Sequence, residues 1–422
     1  MMRTLLAGLA LSLYTFSSQA STVLDAPDLP PWQQVQAVLR SAPLVEAAEA
    51  VIQVEEARAR RLNIGPHEWT LRLSDQQRRV RPSPEGRFNE WEVGLERSLR
   101  LPGKGDLDRQ LGSAGIASAR IYRGDTLHEG CRNLLTGWFE LLREQTVAEQ
   151  WRRQREILAR QAQVVARRAE LGDAPRLERL QADAALSQAE GQLAQAEGRA
   201  QVARERLTRQ YPGLSLPDRA PSSEPQPISG ESAPWVEAVL AHSHELALAR
   251  AESARTRVVA SRADAERRPD PSVGLSLGRE RSGEERIVGL SLSIPLPGEG
   301  RRADADAALA SASAMTFREA ATLRRLESEA AALHRRALAN YSGWLSQQAA
   351  AEALARSADL SERAWQLGEG SLQETLTARR LAHEARLAAQ IARLDASEVR
   401  YRLLLDAHRL WPMDEEGEAA GH

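Results

Sequence analysis

Residues 90–105 read EWEVGLERSLRLPGKG, and residues 285–300 read ERIVGLSLSIPLPGEG. Aligned, the two stretches share nine of sixteen residues: Glu90/Glu285, Val93/Val288, Gly94/Gly289, Leu95/Leu290, Ser98/Ser293, Leu101/Leu296, Pro102/Pro297, Gly103/Gly298 and Gly105/Gly300. Their offset is 195. A second match, Leu171-Gly172-Asp173 against Leu367-Gly368-Glu369, follows at an offset of 196. One residue of drift over that interval points to duplication of a whole structural module. Upstream, each copy also carries a Pro-Trp followed by an Ala-Val-Leu, at Pro31-Trp32 with Ala37-Val38-Leu39 and at Pro234-Trp235 with Ala238-Val239-Leu240.

Within each copy the hydrophobic period changes from helical to alternating and back. Over residues 31–63, Val38, Leu39, Leu44, Val45, Ala48, Val51 and Ile52 recur at three- and four-residue spacings, which predicts a helix closed by Gly65-Pro66. Next, Trp69, Leu71 and Leu73 alternate with polar residues, and after a polar loop Trp91, Val93, Leu95, Leu99 and Leu101 do the same, which predicts a β-hairpin. The second copy repeats this with Val273, Leu275 and Leu277, then Val288, Leu290, Leu292, Ile294 and Leu296. Pro-Gly-x-Gly turns end the hairpins at Pro102 and Pro297, and Asp106 and Asp304 suit the start of a following helix. No proline then occurs up to Leu171 or Leu367. Unbroken helices over these stretches would be about 95 Å long. Gly172 and Gly368 mark sharp turns, and return helices run to about Leu207 and Leu405; the latter shows coiled-coil spacing in Leu387, Ile391, Leu394, Tyr401 and Leu405.

The domain plan follows from these marks. Residues 1–20 have the form of a cleavable signal peptide, with Arg3 ahead of a short apolar run and Ser18-Gln19-Ala20 at its end. Residues 21–210 form the first repeat and 233–410 the second. Between them, residues 211–232 hold five prolines and form a linker or equatorial segment, and 411–422 form an acidic tail. A net charge of -2 offers no electrostatic case for binding nucleic acid. The single cysteine, Cys131, allows no intrachain disulfide and is expected to be a small buried helix residue. No catalytic or phosphate-binding motif is present, so neither an enzyme nor a cofactor is expected. His242 and His244 are the only close histidine pair; two apart on a helix, they face different ways and form no metal set.

Four strands with one apolar face cannot close a sheet alone, since the smallest membrane barrels use about eight and lipid does not tolerate an open edge. Either several copies share a barrel, or the helices cover the strands as a soluble sheet. Helices about 95 Å long would leave most of their length uncovered in the second case. Trp69 and Trp91 suit an aromatic girdle or a core equally, and Arg97 interrupts the apolar face of its strand.

The order of signal peptide, then helix, hairpin, LPGxG, very long helix, LG turn and return helix, then a Pro-rich linker and the same set of elements again, resembles the TolC-type outer-membrane efflux protein family. RSLRLPGKGDLDRQL and LSIPLPGEGRRADADAAL look most like its heavy-metal-resistance, CzcC-type branch. The resemblance covers essentially the whole mature chain. It implies a mostly α protein with β, a TolC-like protomer whose long coiled-coil helices carry four strands into a trimeric twelve-strand outer-membrane barrel. It further implies a homotrimer that extends into the periplasm and meets a periplasmic adaptor and an inner-membrane RND-type pump, passing heavy-metal cations outward. By the same resemblance, Leu171, Gly172, Asp173 and Ala174, with Leu367, Gly368, Glu369 and Gly370, are adaptor-docking tips. Glu374 matches the first of two acidic positions that line the family's lumen constriction, whereas the second is Thr377; the first repeat has Glu178 and Gln181 there. A ring of such carboxylates would attract cations. The rival readings are a periplasmic adaptor with one α-hairpin and a structural coiled-coil protein of the cell envelope.

Overall fold

In a computed structural model describing residues 26–81 and 86–412, the duplicated sequence becomes a duplicated order of elements. The first copy runs α1 (Trp32–Arg40), α2 (Pro43–Ile64), β1 (Trp69–Val80), β2 (Gly86–Ser98), α3 (Lys104–Glu170) and α4 (Arg176–Gln210). The second runs α5 (Ser232–Ala241), α6 (His244–Ala265), β3 (Ser272–Glu280), β4 (Glu285–Ser293), α7 (Glu299–Gln366) and α8 (Leu372–Asp406). The signal peptide and residues 413–422 of the acidic tail lie outside the described residues. The single helix expected over 31–63 is two, because Pro43 opens α2 and disfavours helical backbone at the residue before it. The second copy breaks at the matching place, where Ser243 caps α6 by accepting from the Leu246 N–H at 3.2 Å.

Helices α3 and α7 are continuous over 67 and 68 residues, about 100 Å each. Both fold back sharply, α3 against α4 and α7 against α8. Their seams follow a strict seven-residue step. Ala182, Ala189, Ala196 and Ala203 are the buried line of α4; Thr375, Ala382, Ala389, Ala396 and Leu403 form that of α8; and Ala330, Ala337, Trp344, Ala351, Ala358 and Trp365 that of α7. A sustained seven-residue repeat imposes left-handed supercoiling, and alanine at the seam lets the helices approach closely. The expected Leu387 and Ile391 are only half-buried beside this line. Close approach also explains Gly112 on α3, where a Cβ would stand 2.9 Å from that of Ala59 on α2.

The main core lies midway along the long helices. Leu134, Leu135, Phe139, Leu141 and Leu142 of α3 pack with Leu39 of α1, Leu207 of α4, Trp235 of α5, Ala337 of α7 and Leu403 to Leu405 of α8. Residues 211–232 wrap this core without forming a helix or strand before α5 begins at Ser232, and Tyr211, Leu214 and Ile228 are buried in it. Asp28 ties the N-terminal segment to the rest: its carbonyl accepts from Trp138 Nε1 at 2.7 Å, and its carboxylate from Tyr401 at 3.2 Å and from Ser223.

The two hairpins join edge to edge into one antiparallel sheet in the order β1-β2-β3-β4. β2 and β3, separated by four helices in sequence, pair from Trp91↔Arg279 to Ser98↔Ser272. β1 and β4 are left as open edges. The helices do not cover this sheet: every residue of β1 is exposed, as is all of β4 except the half-buried Gly289. The reading in which helices blanket the strands is thus not the one adopted.

Candidate functional site

The register gathers most of the apolar side chains of the four strands on one face, with Val80, Phe88 and Ile287 on the other. Leu71, Leu95, Leu275 and Leu290 form one row across the sheet, and Leu73, Val93, Leu277 and Val288 the next. Below them lies Trp69, Arg97, Val273 and Leu292. The opposite face carries Thr70, Glu96, Gly274 and Ser291, then Arg72, Gly94, Ser276 and Gly289. Leu290 is 86% exposed and Leu71 61%, so the apolar rows meet solvent in the isolated protomer. Water penalises such a surface; hydrocarbon does not.

Trp69 and Trp91 bracket these rows on the same face and are both exposed, which removes core packing as their role. Six residues of strand register separate their rows, about 20 Å at ~3.4 Å per residue. That is close to the spacing of the aromatic girdles that flank a barrel's apolar band. Arg97 does interrupt the apolar face, yet its Nε donates to the His67 carbonyl at 3.0 Å and its guanidinium lies 5.2 Å from the Trp69 ring centroid. It therefore sits at the helix-proximal end of the rows.

At the far end of the helices, Leu171 to Ala174 and Leu367 to Gly370 form the turns of the two hairpins. Both close in the same way. Gly172 (φ 77°) and Gly368 (φ 82°) are left-handed, their N–H groups donate to Ala169 and Trp365, and the next N–H donates back to Arg168 and Ala364 at 2.8 and 2.9 Å. This satisfies the last carbonyls of each long helix, and no atom lies within 4 Å of where a Cβ on either glycine would stand. Leu171 and Leu367 are 68% and 76% exposed. A small apolar cluster of Ala162, Val165, Ala182, Trp365 and Leu372 joins the two hairpins just behind these turns.

Glu178 and Glu374 occupy the same third position of α4 and α8, but in different surroundings. Glu374 completes a capping box: its carboxylate accepts the Ser371 N–H, and Ser371 Oγ accepts the Glu374 N–H, both at 3.1 Å. Helix α4 starts after Pro175, which has no N–H to give, so Glu178 makes no such box. Thr377 and Gln181 are the uncharged companions, and Thr377 Oγ1 donates to the Gln373 carbonyl at 2.8 Å.

Compared with known proteins, the chain matches no protein-family model and no curated protein. Solved structures do match over nearly its full length. The Campylobacter jejuni CmeC outer membrane channel superposes with a TM-score of 0.74 at 15% identity, over 91% of this chain and 86% of that one. The Vibrio cholerae outer membrane protein VceC gives 0.70 at 17%, over 90% and 99%. CusC, whose structures concern folding and transmembrane channel formation, gives 0.71 at 14%, over 93% and 95%. The chain has the fold of an outer-membrane channel protomer. The protomer fold implied by the TolC-type resemblance, long paired helices carrying four strands, is therefore the fold observed.

Two features of this protomer were not visible in sequence. The first is a charged network where sheet meets helices. Lys104, only 2% exposed, reaches Asp270 at 2.9 Å and Glu266 at 3.1 Å, while the Leu101 N–H also donates to Asp270 at 3.0 Å. Arg262 adds Asp108 at 2.6 Å. Burial alone would raise the Asp270 and Glu266 carboxyls, but hydrogen bonds to Asp270 from Lys104 and Leu101, and to Glu266 from Arg262 and Lys104, hold both below their ordinary values. These residues bolt the first hairpin's exit to the second hairpin's entry. The second feature is a gathering of three histidines, His128, His242 and His244, around His408. Cys131 is fully buried as expected, and burial pushes its thiol up to about 12.

Proposed function

We propose that the protein is the outer-membrane exit duct of a tripartite efflux system. The observation that carries this reading is the four-strand sheet, with apolar rows bare on one face and both edges unpaired. Backbone edges cannot remain open in lipid, so copies of the chain must join their sheets into a closed barrel. Three copies give twelve strands, the number the TolC-type resemblance implies, and the small and polar residues of the other face would line the pore. Helices about 100 Å long continue that pore into the periplasm.

In this reading the protein does no chemistry. An inner-membrane RND-type pump drives cargo, and a periplasmic adaptor docks at the exposed turns Leu171 to Ala174 and Leu367 to Gly370. Glu374 and Glu178, near the same end, supply negative charge to the entrance. Heavy-metal cations are the proposed cargo, on the CzcC-type resemblance of the LPGxG segments.

The test has two layers. Outer-membrane fractions should contain a complex that resists detergent in the cold and dissociates on boiling, and the purified complex should conduct ions across planar bilayers. A monomer that stays soluble without detergent would end the duct reading. Deletion of the gene should sensitise cells to zinc, cobalt, cadmium or copper; unchanged survival on all of these removes the metal cargo and leaves the duct standing.

A further inference from the structure

The four strands carry seven arginines, and the two faces of the sheet treat them differently. On the face of small and polar residues, Arg72 pairs with Glu96 at 3.4 Å, and Arg78 pairs with Glu90 at 2.7 Å and with Glu280 at 3.6 Å. Glu90 is only 2% exposed and also accepts from Gln76 at 3.1 Å. On the apolar face, Arg97 is anchored at the helix-proximal end by the His67 carbonyl and the Trp69 ring. The other four, Arg79, Arg87, Arg279 and Arg286, are exposed at the opposite end of that face. Among the described residues none of these four has an ion-pair partner.

The register fixes their height. Asp75, Trp91, Arg279 and Arg286 make one row across the four strands, the first beyond the leucines and valines. Two residues of strand separate Arg279 from Leu277 and Arg286 from Val288, about 7 Å. Farther out on the first hairpin come Gln77 and Asn89, bonded at 3.2 Å, and then Arg79 opposite Arg87.

Each hairpin thus sets two arginines directly across from one another, Arg79 against Arg87 and Arg279 against Arg286. Like charges so placed repel and weaken the pairing. Asp75 is the only carboxylate that the strands put on this face, and Trp91 stands between it and Arg279. Were closure of a ring to bring Asp75 of one copy to Arg286 of the next, Arg279 would still be unanswered.

We propose that Arg279 and Arg286, extended outward by Arg79 and Arg87, bind the phosphate groups of anionic lipids in the outer leaflet. This site rests on the exit-duct reading, which puts the helices in the periplasm and this end of the sheet at the outer surface. Continuity with the apolar rows supplies the occupant: a lipid whose chains lie along the leucines carries its headgroup to the height where those rows stop. A guanidinium offers paired donors that match the oxygens of a phosphate. Trp91, exposed in the same row, suits the headgroup level, where an apolar ring body with a polar N–H is at home. A zwitterionic headgroup brings its own cation and leaves the repulsion in place. One with uncompensated phosphate turns each repelling pair into a bridge across its hairpin.

Native mass spectrometry of the heat-dissociable complex, purified in non-ionic detergent, counts bound lipid and reads the affinity. Diphosphoryl lipid A should bind the wild type at least tenfold, in round terms about one order of magnitude, more tightly than phosphatidylcholine, and Arg279→Gln combined with Arg286→Gln should lose about tenfold of that affinity. Arg72→Gln, which removes a charge from the opposite face, should leave it unchanged and so separates a site from net charge. Lipid A, unlike phosphatidylcholine, should also raise the temperature at which the wild-type complex dissociates, a reading that needs no variant. Inorganic phosphate, with no chains for the leucine rows, should not displace the lipid.

Equal binding and equal stabilisation by the two lipids, an unaltered affinity in the double variant, or displacement by an equal concentration of inorganic phosphate overturns the lipid site. A protein that never assembles in the membrane ends the duct and the lipid site together; an assembled, conducting complex that ignores lipid phosphate ends the lipid site alone.

Discussion

The guanidinium of Arg168, on the first hairpin, lies over the ring of Trp365, on the second, 5.4 Å from its centroid. Arg168 also grips its own turn, donating to Asp173 Oδ2 at 3.0 Å. The two tips are thus a single unit rather than two loose ends. Because Trp365 is 5% exposed, Trp365→Ala should cost about 3–5 kcal/mol, against about 0.5–1 kcal/mol for Arg168→Ala. Thermal unfolding followed by circular dichroism measures both; equal losses would show that the stacked charge, and not the ring's packing, joins the tips.

Gly172→Ala and Gly368→Ala should each cost about 1–2 kcal/mol, the strain of a left-handed alanine. No neighbour crowds either site, so the larger Gly368→Gln should cost little more in stability. If an adaptor docks here, Gly368→Gln should cut in-cell cross-linking to it while outer-membrane levels stay unchanged.

The capping box separates shape from charge at Glu374. Ser371→Ala should destabilise by about 1 kcal/mol, while Glu374→Gln keeps an acceptor for the Ser371 N–H and should hardly alter the melting temperature. In planar bilayers Glu374→Gln should nevertheless lower the preference for cations, read from the reversal potential in a salt gradient. An unchanged reversal potential would leave Glu374 with the cap as its only role.

The junction network predicts acid sensitivity. Asp270 has its carboxyl held below 3.8 in the folded state, so its contribution is complete above about pH 4 and fades as the pH drops through the lower folded value. Asp270→Asn leaves the buried Lys104 with Glu266 alone; it should cost about 3–5 kcal/mol at neutral pH and remove that part of the acid dependence. Melting curves between about pH 3 and about pH 7 would show whether the slope disappears.

The sheet offers the sharpest contrast. At a soluble surface, changing Leu290, which is 86% exposed, to arginine would be harmless. Facing lipid, Leu290→Arg should cost about 2–4 kcal/mol per chain near the bilayer midplane and sharply lower the yield of heat-dissociable complex. Ser276→Arg, on the opposite face of the neighbouring strand, should assemble normally and change conductance instead.

The duplicated LPGxG stretches made the order of elements legible, since each pattern is local: alternation for strands, a long proline-free run for α3 and α7, a glycine for each tip. The seams leave a sequence trace too: Ala182, Ala189, Ala196 and Ala203 lie seven apart, whereas the large aliphatics Leu387 and Ile391 mark a line that is only half-buried, because alanine fills the seam. The prolines of residues 211–232 mark irregular backbone and say nothing of Tyr211 and Ile228 entering the core. Long-range groupings had no local trace. Lys104 meets a partner 166 positions away at Asp270, and His128 meets His408 across 280; nothing in the residues between them announces either encounter.

The unequal starts of α4 and α8, Pro175 in one and the Ser371–Glu374 box in the other, break the pseudo-symmetry that duplication created. A ring of three such chains would offer six landing places of two alternating kinds, one stiffened by its reciprocal bonds and one freer to fray. Any protein that seats itself around that rim must therefore either repeat in pairs or tolerate two dissimilar footholds.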